Sequence, residues 1–461
     1  MKKRLLFFVF SFSLFTLCRA QYSVLHNFND TNGAKPLYSS LTFLGNKLYG
    51  MTQFSHGQGV IFSIDTTGNG YKDLLNFNGN NGQNPTGSLT FSGKKLFGMT
   101  QAGGVISDGN VFSIDTNGNR DKDLLDFNGP NGSAPRGSLI LLGNKLFGMT
   151  IFGSTNGNIF SIDTNGNGYK DLFDFNGTNG SFPYGDLIFS GNKLFGMTGE
   201  GGLNGDGVVF SIDTDGSGYR TLLNFNGLNG SSPFGSLTLS GKKLFGMTNR
   251  GGADSDGLVF SLDTNGSGYK DLLDFNGTNG QYPFGNLTLS GNLLFGMTYF
   301  GGIYDNGVVF LLDTNGSGYS DIFDFDGTNG QGPTGSLTLS GHTLFGMTTY
   351  GGTNGDGVIF KIGSGSVTGV NKLITGSGVV NLYPNPNNGF FSISLNYPEF
   401  VSGSHTTVQI YSILGEKVYS ELSLVNYPLC IDISNRPTGI YLYRVLTETG
   451  SLVSEGKFII Q

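Results

Sequence analysis

The chain has 461 residues, longer than one average domain and shorter than four. Gly supplies 78 of them without a Gly-X-Y period, which excludes collagen, and 13% charged residues against 13% aromatics excludes a disordered chain. A net charge of −7 without a basic tail argues against a nucleic-acid partner, and four His with no Trp leave little for a His-based or metal-rich active site.

The N-terminus reads as an export signal. Lys2, Lys3 and Arg4 precede an apolar run from Leu5 to Leu17. Cys18-Arg19-Ala20 then offers a small residue before Gln21, so residues 1–20 are expected to be a cleaved signal peptide. The run is shorter than the roughly 20 residues of a spanning helix. Leu17 before Cys18 is too large for a lipid-anchor site. The mature chain would keep one cysteine, Cys430, and so no internal disulfide. No later stretch is long and apolar enough to predict a transmembrane span.

Repeats dominate residues 22–363. L-F-G-M-T recurs with its Phe at Phe97, Phe147, Phe195, Phe245, Phe295 and Phe345, and a variant carries Tyr49, at spacings of 48 or 50 residues. Each unit runs through four short apolar pieces bounded by Gly, Asn or Ser, here strands a to d. They read G-S-L-T-L-S-G, K-L-F-G-M-T, G-V-V-F-S-I-D and Y-K-D-L-L-D-F-N-G. Within strands, Phe97 and Met99 share a face, as do Phe112 and Ile114, and Leu125 and Phe127. The seventh unit lacks its d strand, and Tyr22–Phe28 supplies a matching one at the chain start. The expected fold is therefore all-β, a seven-bladed β-propeller closed by the N-terminal strand over residues 21–363.

This region, about residues 22–363, resembles the GloVer tandem-repeat family through N-G-x-N-G, Pro-x-Gly before strand a, L-F-G-M-T and G-x-V-F. That family has no generally assigned activity, so the resemblance informs fold more than function.

After Lys361 the pattern breaks. Residues 364–380 read as a linker. Residues 381–461 carry N-L-Y-P-N-P, G-F-F-S-I, V-Q-I-Y-S-I-L-G-E-K-V-Y, T-G-I-Y-L-Y-R-V and a terminal Lys457-Phe458-Ile459-Ile460, and predict a small β-sandwich. This segment is similar to the C-terminal sorting domain of type IX secretion substrates. The resemblance implies the type IX machinery as partner, and a secreted or outer-surface location in a Gram-negative bacterium. It also implies that the segment is commonly removed, with the cargo released or attached to surface lipopolysaccharide.

Two loop sets are candidates for chemistry. The c–d loops read D-T-N-G-S-G-Y-K-D. Asp263, Asn265, Ser267 and Asp271 stand at positions 1, 3, 5 and 9, and other copies begin at Asp65, Asp115, Asp163, Asp213 and Asp313. The spacing resembles the calcium loops of FG-GAP propellers, with Asn165, Asp171, Asn315 and Asp321 in equivalent places. Calcium is the cofactor such loops would take. Against it stand few carboxylates, Arg120 at the glycine position, Thr221 at position 9 and no Glu at position 12; a tight Asx hairpin is the preferred reading.

The d–a and b–c loops fall at the other end of the strands and vary most. Around the Pro of the d–a loops stand Tyr38, Arg136, Phe182, Tyr184, Phe234, Tyr282 and Phe284. In the b–c loops stand His56, Glu200, Arg250, Tyr299, Phe300, Tyr304 and Tyr350. Variation within a repeated frame, rich in aromatics, suits a binding surface for a glycan or another surface ligand; equally, the aromatics could simply cover the Pro. The expected function is a binding module. The alternatives are a structural or adhesive surface protein without a small ligand and, behind it, a polysaccharide-acting hydrolase resting on Glu200 and Asp186. No catalytic residues are assigned, because no pair of acid–base groups or Ser/His/Asp arrangement is visible.

Overall fold

The computed structural model describes residues 21–55, 57–153, 156–341, 343–363, 379–383, 390–396, 405–424, 429–447 and 452–460. The expected signal peptide and most of the expected linker lie outside the described residues. Two compact units emerge, Tyr22–Gly363 and a second within Ser364–Gln461.

The larger unit holds seven antiparallel sheets, six of four strands and one of five. The first comprises Thr42–Leu44, Lys47–Thr52, Val60–Asp65 and Lys72–Asn76. In the seventh, Gln21–Asn27 lies beside Val358–Gly363.

The register explains the repeated motif. Gly196 of the fourth K-L-F-G-M-T strand faces Phe210 of the next strand. A Cβ at Gly196 would lie 2.6 Å from Phe210 Cζ and 3.2 Å from Leu187 Cδ2. Glycine is thus the residue that lets the Phe ring cross the strand. The two faces of each sheet serve different cores. Phe245, Met247 and Val259 of the fifth sheet pack with Leu294, Phe310 and Leu312 of the sixth. Leu244, Phe260 and Leu262 pack with Phe195, Met197 and Val209 of the fourth. The seventh and first sheets share a core in the same way, through Phe345, Met347, Leu48 and Phe62. A β-bulge between strands c and d accounts for the consecutive leucines: Phe260 pairs with Asp271 and Val259 with Leu273, which skips Leu272. Leu272 is buried and Leu273 packs against the same core.

Side-chain packing and single backbone bonds, such as Ala134 N–H to the Asp108 carbonyl at 2.9 Å, run between sheets, but strand ladders do not. Each ladder ends at an a strand, three residues long in most sheets and Gln83–Ser92 in the second, or at the d strand, and the intervening loops turn out of it at glycines such as Gly177 and Gly180 (φ 89° and 119°) and at Pro183, which has no N–H to donate. The expected seven-bladed propeller is corrected accordingly. The fold is an all-β domain of separate four- and five-stranded antiparallel sheets, none of them closed by its strand pairing into a barrel or propeller.

The second unit has one sheet of Val379–Tyr383, Phe390–Asn396 and Leu429–Asp432, and another of Lys417–Leu424, His405–Ser412, Gly439–Thr447 and Leu452–Ile460. The two share a core that includes Phe391, Ile393 and Ile431 from one side and Val408, Ile410 and Phe458 from the other. In the terminal strand Phe458 and Ile460 are buried while Lys457 and Ile459 are exposed, the period-two pattern of a half-buried strand.

The close approach at Gly196 leads to a stability prediction. Gly196→Ala should lower the stability of the larger unit by about 1–3 kcal/mol, the cost of overpacking a filled core. A urea unfolding midpoint equal to that of the parent would show that the Phe210 ring yields freely.

Candidate functional site

The inner ends of the a strands meet in a cycle of hydrogen bonds. Ser40 N–H donates to Ser88 Oγ, Ser88 N–H to Ser138 Oγ, and Ser138 N–H to Asp186 Oδ1. Asp186 N–H donates to Ser236 Oγ, Ser236 N–H to Asn286 Oδ1, Asn286 N–H to Ser336 Oγ, and Ser336 N–H returns to Ser40 Oγ. The distances run from 2.5 Å to 3.2 Å. The preceding Pro-x-Gly makes this approach feasible, since a Cβ at Gly235 would stand 2.2 Å from the Gly285 carbonyl oxygen. One residue is inserted in the first repeat, so Ser39 takes the glycine place there, with its carbonyl against Gly335.

Beside this cycle lies a shallow concavity, open to solvent, whose enclosed space is about 30 Å³. Its lining takes the residue at the x place of Pro-x-Gly from six of the seven sheets, Tyr38, Arg136, Tyr184, Phe234, Phe284 and Thr334, while Thr86 of the second is buried. The aromatics form a connected set. Tyr184 meets Phe234 edge-on at 4.7 Å, Phe234 and Phe284 stack at 5.5 Å, and Phe284 meets Tyr38 at 5.8 Å. Tyr299 adjoins from its b–c loop, 5.4 Å from Phe284. The Arg136 guanidinium lies 3.7 Å from the Tyr38 ring centre and 5.0 Å from that of Tyr184. Tyr38 holds a left-handed backbone, φ 55°, with its N–H donating to Thr334 Oγ1 at 3.0 Å. Burial raises the Tyr184 hydroxyl above its ordinary range, a shift that Arg136 opposes and Glu200 adds to. Burial, and then the neighbouring Tyr350 and Tyr38, raise Tyr299.

Other candidates lie outside the lining, although Phe300 meets Tyr299 edge-on at 4.4 Å and Tyr350 neighbours it too. Phe182 packs on Phe152 at 5.6 Å, and Tyr282 on Phe300 at 6.4 Å. Tyr350 lies under Lys35 Nζ at 5.5 Å. Glu200 and Arg250 pair through their backbones with Ser181 and Ser231, which joins b–c to d–a loops, and their side chains are exposed. Tyr304 stands on a loop tip, 57% exposed. His56 lies outside the described residues.

Residues 9–198, 143–291 and 190–385 match the Gloeobacter/Verrucomicrobia repeat. The chain belongs to the Gloeobacter/Verrucomicrobia repeat family. Residues 381–461 match the secretion system C-terminal sorting domain, so the protein is delivered by type IX secretion to the exterior or outer surface of a Gram-negative bacterium. Among the described residues no helix is long and apolar enough to cross a membrane, which says nothing of a β-barrel. No curated protein matches the chain. Among solved structures, an oligogalacturonate lyase in complex with manganese is 13% identical over 75% of this chain and 93% of its own, with a TM-score of 0.49. The extracellular domain assigned to a one-component system of B. thetaiotaomicron is 10% identical over 95% of this chain, with a TM-score of 0.50, and the present chain spans 59% of it. These are likenesses of fold, without activity attached.

In this Gloeobacter/Verrucomicrobia repeat protein the c–d loops satisfy their own polar groups. Asp65 Oδ1 accepts the N–H groups of Thr67 and Asn69 and the Thr67 hydroxyl, which together hold its carboxyl below the usual range. Asp163 pairs with Lys145 at 2.8 Å and Asp263 with Lys243 at 3.0 Å. Asn292 Nδ2 donates to Asp313 Oδ1 at 2.8 Å. Asn165, Asn265 and Asn315 each accept a backbone N–H two residues on. Asp171, Asp271 and Asp321 sit on the d strands, where the acid felt by each is a strand neighbour, Asp174, Asp274 or Asp324. Among the described residues no group of three or more His, Cys, Asp and Glu could hold a metal. This donor set does not fit a calcium shell, because the first carboxylates are occupied by their own loop, Lys or Asn, and Asp171, Asp271 and Asp321 at the ninth place each face another acid.

The repeat sequence did carry a signal for the cycle that the reading of aromatics overlooks. The residue after Pro-x-Gly is Ser, Asp or Asn in each of these repeats, always a side-chain acceptor of the right reach.

The d-strand acids yield a pH prediction. Burial and then the adjacent acid push Asp271 and Asp321 up to about 6. A raised carboxyl favours the folded state below its unfolded value and loses that contribution as the pH rises through about 6. Asp271→Asn with Asp321→Asn should raise the thermal midpoint at pH 8 and leave it near that of the parent at pH 4. A gain of equal size at both values would trace the effect to something other than charge.

Proposed function

We propose that this exported protein is a binding module that takes a saccharide, or a surface ligand of similar shape, in the concavity beside the hydrogen-bond cycle. The supporting observation is convergence. Tyr38, Arg136, Tyr184, Phe234 and Phe284 come from repeats far apart in the chain and line one concave site. Flat rings beside a few polar groups are what a sugar needs, apolar CH faces against aromatics and hydroxyls against donors. The surrounding frame is rigid, since the cycle ties each inner strand to the next and little ordering is left for binding.

A hydrolase finds less support. Asp186 is committed to the cycle, and Glu200 is exposed on a b–c loop. An adhesive role draws on a different feature. Val105, Leu203 and Ile303 stand at 82%, 84% and 80% exposure on equivalent loop tips and suit contact with another macromolecule. In the preferred reading, the segment 381–461 carries the module out, and its removal leaves residues 21–363 as the active cargo.

A glycan array with the full mature chain tests the proposal. Tyr184→Ala and Phe234→Ala should each weaken a positive signal about tenfold or more, the behaviour of central aromatic anchors, with unchanged unfolding curves. Undiminished binding by both variants would place the ligand elsewhere. A blank array together with specific retention on intact cells would favour the adhesive role.

A further inference from the structure

We infer that the ligand carries a carboxylate, as an acidic saccharide built on uronate or sialate does, and that Arg136 receives it. The inference rests on the concavity being the binding site and adds the class of ligand.

Arg136 occupies the x place of Pro-x-Gly, where other repeats have Tyr, Phe or Thr. Its guanidinium lies against the face of Tyr38, with Tyr184 further off. Stacking occupies the faces of the planar cation and leaves its five N–H groups, which point outward in the plane, for other partners. No described residue supplies them. Arg136 Nε is buried without a hydrogen-bond partner, and Arg136 takes part in none of the ion pairs among the described residues. Nε is sealed from solvent, so the Nη edge of the guanidinium is the part that a partner from outside can reach.

The other charged residue of the lining does not answer this demand. Asp186 directs Oδ1 to the Ser138 N–H, and its Oδ2 lies 3.5 Å from Asn286 Nδ2. The chain as a whole is acidic, with net charge −7, so no general field draws anions to it and recognition falls to the one guanidinium. A carboxylate matches the guanidinium edge with two parallel hydrogen bonds. The stacked Phe234 and Phe284 beside it offer an apolar face to the ring that bears the carboxylate. A bare inorganic anion would leave these rings unused.

The test is binding of the full mature chain to uronate and sialate oligosaccharides and to the same oligosaccharides after carboxyl reduction. The acidic forms should bind at least tenfold tighter, and the preference should weaken with added salt. Arg136→Met should abolish the preference and leave the weaker binding of reduced forms in place, and Arg136→Lys should restore part of it. Unfolding midpoints of both variants separate loss of recognition from loss of fold. Equal binding of acidic and reduced forms by the parent, or an undiminished preference in Arg136→Met, overturns the inference. If Tyr184→Ala still weakens the binding in that case, the concavity remains the site and the carboxylate assignment alone has failed. Absence of binding to every oligosaccharide overturns both.

Discussion

Seven backbone N–H groups at the inner ends of the sheets have no strand to pair with, and each is answered by a side-chain oxygen of the neighbouring sheet. An unmet buried N–H costs more than a made bond gains, so this cycle sets terms for everything around it. The backbones must come close, which is why the residue before the acceptor is Gly in most repeats and why a Cβ there would strike the next carbonyl. The acceptor must be short and polar, which is why Ser, Asp and Asn fill the place. The residue one step earlier is then free to vary, and its side chain lines the concavity.

Away from the cycle, the sheets are joined by apolar packing on both faces and by a second set of ties. Tyr169, Tyr219, Tyr269 and Tyr319 each extend a hydroxyl to an Asn carbonyl of the neighbouring repeat, at 2.5–3.1 Å. Burial raises these phenols, so they stay neutral donors across the physiological range. The c–d loops nearby keep their carboxylates on their own backbone and on Lys145 or Lys243, and so act as hairpin closures. Exchangeable polar capacity is thereby concentrated at Arg136, the one lining residue that combines charge with a buried, unpartnered donor.

Much of the frame was legible in the sequence because its causes are local. Four short strands follow from the spacing of Gly and Asn around apolar runs, and alternation along K-L-F-G-M-T marks two buried faces. Closure into a propeller was not a local property. Strand count and the displaced d strand suggested it, whereas the strand ladders stop at each sheet, and neighbours are joined by side-chain packing and single hydrogen bonds. The aromatic candidates divided for a similar reason. Tyr184 and Tyr282 both flank the Pro of a d–a loop, but Tyr184 follows it and lines the concavity, while Tyr282 precedes it in a left-handed conformation, φ 53°, and packs on Phe300.

The export route, the repeat family, the strand content and the turn chemistry were all written in the order of the residues, since each depends on positions close to one another in the chain. Which variable residues meet was a matter of tertiary structure. Tyr38, Arg136 and Tyr184 belong to three different repeats, and only the glycine-permitted approach of the inner strands brings a guanidinium against two phenol rings and leaves its N–H edge without a partner.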